Sequence, residues 1–180
     1  MKPTPTAWAA IMLAVTGASH LGAQCDGINT CTTTHTVSAT VSVIVMLEMS
    51  STTTTLTSPT ADDIHNGAAI MDAGPTLTIS ANQSWTLNIR SQNSNNWTFT
   101  GAGQGQTGRK SIGDLAWSTS AGGTFTPITS NDAVFLADGN PADHVPALVF
   151  FRTTWGSDFS AGGNAPGTYS LPIAFTLTAP

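Results

Sequence analysis

Strict alternation at the two ends of the chain limits what it can fold into more than any other feature. Over residues 36–43, Val37, Ala39, Val41 and Val43 fall on one parity and Thr36, Ser38, Thr40 and Ser42 on the other. Near the C-terminus, Tyr169, Leu171, Ile173, Phe175 and Leu177 alternate with Ser170, Pro172, Ala174, Thr176 and Thr178. A period of two puts one set of side chains on each face of a half-buried β-strand. After Val43 the pattern fills in as Ile44, Val45, Met46 and Leu47, which predicts a strand entering a place buried on both sides. Pro172 cannot donate to a ladder, so the closing strand has an edge or a bulge there.

Composition agrees with strands. The chain has one glutamate, Glu48, and after residue 23 one lysine, Lys110, while Thr, Ser, Gly and Asn are abundant. Thr with Val and Ile favours strands, and Gly, Asn and Pro favour turns. Further strands are predicted over 76–80, 85–90, 97–100, 115–119, 133–137 and 147–153. The tetrapeptide Ala81-Asn82-Gln83-Ser84 reads as the turn of a hairpin between the first two. Residues 62–71 hold the one arguable helical turn. Many short strands broken by Gly and Pro loops predict an all-β fold, an immunoglobulin-like or jelly-roll antiparallel β-sandwich, with the alternating end strands side by side in its sheets.

The first residues read differently. Lys2 is followed by an apolar run over 7–15 and then by small residues up to Ala23, the order of a secretory signal peptide. The run is shorter than the roughly 20 residues a bilayer span needs. Cleavage is expected after Ala23, with Ala18 as the alternative. Gln24 separates Ala23 from Cys25, which argues against a lipid anchor. Residues 24–180 then form one β-sandwich domain behind an N-terminal arm, in an extracellular or cell-surface setting. Cys25 and Cys31 would pair there in a disulfide, because exported chains meet oxidising conditions. The short loop they close makes the bond a local staple worth about 2 kcal/mol. A zinc site adding His35 to the two cysteines is the lesser reading, lacking a fourth ligand.

The charge balance of the full chain is −5, with five basic residues against ten acidic ones. Nucleic acid and anionic membranes are excluded as partners, since both demand a basic face. No apolar stretch after the signal is long enough for a transmembrane helix.

Motifs that carry chemistry are scarce. Gly103-Gln104-Gly105-Gln106-Thr107-Gly108 matches G-x-G-x-x-G by letters, and the longer stretch to Ser111 nearly matches a phosphate loop. No helical pattern follows to supply the free amides such loops need, so a glycine-rich loop is the reading. Asp138, Asn140 and Asp143 bunch oxygen ligands as calcium loops do. Their spacing fails the EF-hand pattern, and Asx and Pro turns explain them equally well. G-x-S-x-G and H-E-x-x-H are absent; Asp62, Asp63 and His65 are the nearest approach to an acid–base group. No catalytic residue and no cofactor are assigned. Trp85 and Trp97 share parity with Leu87, Ile89 and Phe99, which is core behaviour. Trp155 has no such partners and is the candidate glycan contact.

Two stretches carry a resemblance. Trp85-Thr86-Leu87 is a Trp-x-Leu, and Gly167-Thr168-Tyr169 leads on to Phe175-Thr176-Leu177. The pair resembles the WxL-type surface domains of bacteria, which have two Trp-x-Leu motifs, the second closing the chain after a Gly-x-Tyr strand. That resemblance implies an all-β secreted protein held non-covalently on peptidoglycan. Phe175 stands where the second motif has Trp, which puts wall binding in question. Spore-coat-like and pilin-like secreted sandwiches are similar in the same two strands. The expected function is a secreted, non-catalytic surface or matrix protein of bacterial type, acting in assembly or adhesion through self-association. The alternatives are a module that binds peptidoglycan or cell-wall polysaccharide and, last, a secreted hydrolase.

Overall fold

A computed structural model describes residues 34–101, 110–156 and 164–180. The expected signal peptide, Cys25, Cys31 and the glycine-rich stretch 103–108 lie outside the described residues. The chain divides into two units, Met1–Ser42 and Val43–Pro180. Of the first unit, residues 34–42 carry no regular secondary structure and are exposed.

The second unit is all-β, built from antiparallel sheets that form an open sandwich and do not close into a barrel. Among the described residues ten strands run in order: β1 (Val45–Met49), β2 (Ala69–Ala81), β3 (Trp85–Ser91), β4 (Thr98–Thr100), β5 (Leu115–Ser118), β6 (Thr126–Pro127), β7 (Ala133–Asp138), β8 (Ala142–Thr154), β9 (Thr168–Ser170) and β10 (Ile173–Thr178). One sheet has the order β1-β2-β8-β5-β6, a second β10-β3-β7, and a ribbon pairs β4 with β9. A single helical turn, α1 (Ala61–His65), is started by a capping box in which Thr60 and Asp63 satisfy each other's backbone amides. That work holds the Asp63 carboxyl below its ordinary range, through hydrogen bonds from the Thr60 backbone and then its hydroxyl.

The core lies where the inward parities meet. Leu77 and Ile79 of β2, Val149 and Phe151 of β8 and Leu115 of β5 face Leu87 and Ile89 of β3. Trp117 stacks on Phe135 with centroids 5.0 Å apart, and Phe135 meets Phe175 edge-on at 5.9 Å. These aromatic contacts join the two sheets through their largest side chains. Trp85 and Trp97 are both buried, as their parity predicts.

Three expectations change. First, the alternation over 36–43 does not make a strand: Val37 is 84% exposed and Val41 78%, and pairing begins at Val45. β1 is then an edge, not a doubly buried strand. Only Leu47 packs on the core, because β1 has a neighbour, β2, on one side alone. Second, β2 and β3 are not a hairpin. They belong to different sheets, and residues 82–84 turn the corner between them. Both strands aim their apolar parity at the same core, so they face each other across it. Third, the alternating segments of the two chain ends do not share a sheet. β10 pairs with β3, setting Leu177 opposite Leu87 and Phe175 opposite Ile89. The two Trp-x-Leu-like stretches therefore lie on neighbouring strands and meet in register only at Leu87 and Leu177.

At the C-terminal end Pro172 does more than make an edge or a bulge: the expected single closing strand is interrupted. The segment splits at Leu171-Pro172 into β9, in the ribbon, and β10, in the sheet. A second proline explains the register shift between β2 and β8 at residues 73–76. Pro75 has no N–H to give, and Gly74 lets the backbone approach the Phe151 ring so closely that a Cβ there would lie 2.8 Å from it.

The ribbon depends on a similar fit. Phe99 stacks on Tyr169 at 4.9 Å and presses against Gly167, where a Cβ would sit 2.5 Å from the Phe99 ring and 2.7 Å from the Thr100 carbonyl. Gly167→Ala is expected to cost about 1–3 kcal/mol, the usual range for overpacking. Gly122→Ala is the control, since nothing lies within 4 Å of its added Cβ. Urea titration of both variants checks this; equal midpoints would show that the ribbon yields without cost.

Candidate functional site

The groove that matters opens beside the ribbon. It encloses about 910 Å³ and runs between the segment 51–59 on one wall and β8, β9 and β10 on the other. The first wall is Thr-rich, the Ser50-Ser51-Thr52-Thr53-Thr54-Thr55 stretch and its continuation, largely exposed as a loop. Leu56 anchors it to the core, and Asp72 ties it down by accepting from the Thr57 amide at 3.1 Å and its hydroxyl at 2.6 Å. The second wall presents Trp97, Phe151, Trp155, Tyr169 and Phe175. Among the described residues, no charged side chain lines the groove.

Trp155 is not the freely exposed ring its sequence context suggests. It is half-buried, and its ring meets Tyr169 edge-on at 6.0 Å. The Lys110 ammonium sits 3.9 Å from its centroid. Lys110 is only 2% exposed. The backbone explains how it arrives there: residue 97 donates its amide to the Lys110 carbonyl at 2.9 Å, and Trp97 Nε1 donates to the Ser111 carbonyl at 2.9 Å. Ser111 and Asp114 then cap the short 3-10 turn Ile112–Asp114. The lysine is thereby directed inward, where Nζ donates to the Thr154 carbonyl and lies 3.9 Å from the Asp114 carboxylate. Burial pushes its pKa down to about 8, and Asp114 partly offsets that by favouring the charged form. A cation held over an indole in a dry site fixes the ring by cation–π attraction worth about 2 kcal/mol.

Two polar atoms in this wall lack partners. Thr153 Oγ1 and Trp155 Nε1 are buried and without a hydrogen bond. Thr153 is 1% exposed. Trp85 and Trp117 share the deficit at Nε1 elsewhere in the fold, but neither lines this groove.

The other candidates do not converge on it. Asp138 Oδ1 accepts from the amide and the side chain of Asn140, both at 3.0 Å, which is an Asx turn between β7 and β8. Asp143 pairs with the His144 ring. Among the described residues, no group of three His, Cys, Asp or Glu side chains is placed to hold a metal ion. Asp62 and His65 sit on α1, and Asp63 is consumed by the cap.

Sequence reasoning reached Trp155 and missed Lys110, Thr153 and the Thr-rich wall. Lys110 follows a glycine-rich stretch and carries the signature of a solvated loop. Thr153 has the inward parity of Phe151, which is the one clue to its burial.

No helix among the described residues is long and apolar enough to cross a membrane. No family model matches the chain, and no curated protein matches its sequence.

Proposed function

We propose that this is an exported assembly protein, a β-sandwich whose copies join by strand addition on a bacterial surface or in its matrix. The observation that carries the reading is the segment 36–43. It has a strand's alternation, yet Val37, Val41 and Val43 are exposed and the segment carries no regular secondary structure. It runs directly into edge strand β1, where Val45, Met46 and Met49 are also exposed. An alternating segment without a ladder, followed in the chain by an edge strand, is a template for pairing with another chain. Natural monomers blunt such edges with charge or proline, and residues 36–47 contain neither. The signal-like composition of residues 2–23 supports export. The WxL-type, spore-coat-like and pilin-like resemblances support the same class of protein.

Charged residues on the apolar parity test the reading. Val37→Asp combined with Val41→Asp is expected to weaken self-association at least about tenfold, a change of about 1.4 kcal/mol, while leaving the melting temperature unchanged. Sedimentation velocity over a concentration series measures both proteins. A wild-type chain that stays monomeric throughout, or a variant that assembles equally well, would contradict it.

A further inference from the structure

We infer that the groove beside Trp155 is a binding site for a neutral oligosaccharide. This stands apart from strand addition, which uses the segment 36–43.

Three observations point to that ligand class. The described lining is free of charge, so a phosphate, a carboxylate or an ammonium entering the groove would lose its hydration without a compensating ion. One wall supplies rings and the other hydroxyl-bearing side chains, including Thr54, Thr57 and Ser58. A sugar matches both, with C–H faces for the rings and O–H groups for the hydroxyls. The third observation is the pair of buried polar atoms without partners. Trp155 Nε1 can only donate, and Thr153 Oγ1 can donate or accept. Leaving such atoms unpaired in the free protein is costly. Both residues line the groove, and a sugar hydroxyl that reaches either atom removes its deficit.

Lys110 is a positioning residue here. It covers the Trp155 ring from outside the groove lining, so the indole edge is presented in a fixed orientation before the ligand arrives. A preformed ring and a preformed wall reduce the ordering that binding demands. The volume, about 910 Å³, lies in the range of small-molecule sites and exceeds a single sugar ring, so a short oligomer is the expected ligand. The uncharged wall also disfavours the anionic stem peptides and lactyl groups of peptidoglycan.

Calorimetric titration of the full chain with cellohexaose, maltohexaose, xylohexaose and chitohexaose tests the inference. At least one is expected to bind saturably at a single site. Trp155→Phe keeps the ring and deletes the donor; Thr153→Val keeps the shape and deletes the hydroxyl. Each should weaken that binding about five- to tenfold, the loss expected for one hydrogen bond; Thr153→Val should keep the wild-type melting temperature, and Trp155→Phe should lower it only modestly through its weaker contact with Lys110. A melt of each variant separates lost binding from lost folding. Absence of saturable binding by all four sugars at about 10 mM, or equal affinity in wild type and both variants, would overturn the inference. A synthetic peptide of residues 34–43 is the rival probe. If it binds the groove and the sugars do not, the inference fails while the assembly reading gains its acceptor.

Discussion

Trp85→Ala is expected to destabilise the protein by about 3–5 kcal/mol, the range for truncating a buried tryptophan. That is a large share of a domain stability of roughly 5–15 kcal/mol. The residue is 3% exposed at the start of β3, the strand that carries both ladders of its sheet. Its backbone is opposite Asp138 of β7, and its neighbour Thr86 is opposite Thr178 of β10. Loss of the ring therefore opens a cavity at the end of the sheet where all three strands meet. The conservative change separates shape from chemistry. Trp85 Nε1 has no hydrogen-bond partner, so Trp85→Phe removes no bond and should cost about half as much or less. Urea unfolding monitored by far-ultraviolet dichroism measures both. An alanine variant with the wild-type midpoint would mean that the core does not depend on this ring.

The second large effect is a stability that rises with alkaline pH. Lys110 has its pKa lowered to about 8 in the folded chain, chiefly by burial, against 10.4 for a free lysine. Between these values the unfolded chain holds a proton that the folded chain has released, so unfolding binds a proton and stability climbs as pH rises. The full gain is on the order of 3 kcal/mol between about pH 8 and 10.5. Below pH 8 the lysine is charged in both states, and its desolvation cost is carried in full. Tyr169 opposes the trend at the upper end. Burial raises its phenol pKa, so the unfolded chain ionises first there and stability falls. Lys110→Met fills the same space without a charge. It should abolish the rise between pH 8 and 10. Urea midpoints of the two proteins across that range decide the matter, and a parallel rise in the variant would show that another group is responsible.

Much of the fold was legible in the chain because burial in a sandwich has the same period as the strand. Leu77 and Ile79, Leu87 and Ile89, and Phe175 and Leu177 could each be placed on a core-facing side from parity alone. Parity does not identify the neighbour. A four-residue link between two alternating segments fits a hairpin and a corner equally well, and only the shared core tells them apart: β2 and β3 both contribute to one cluster of buried residues and lie in different sheets, so they face rather than flank each other. The same gap explains residues 36–43. Their alternation records strand propensity, and a strand exists only where a ladder receives it. The site was less legible, for a physical reason. Lys110 is buried by the pairing of residues 96–97 with 110–111, a contact between segments that show no periodicity. Trp155 was singled out for lacking alternating partners, yet its partners are a cation and a phenol from distant loops and strands. Interactions of that kind leave no local pattern.

The central claim, that residues 36–43 become a strand between copies, has a direct readout in amide hydrogen exchange. A strand in a ladder protects its amides, and an unpaired exposed segment does not. Exchange over residues 36–41 should be fast in dilute protein and slow by at least about tenfold once the protein is concentrated, with the sandwich core unchanged. Fast exchange at every concentration, in samples that have demonstrably assembled, would contradict it, because copies would then be joined without that strand.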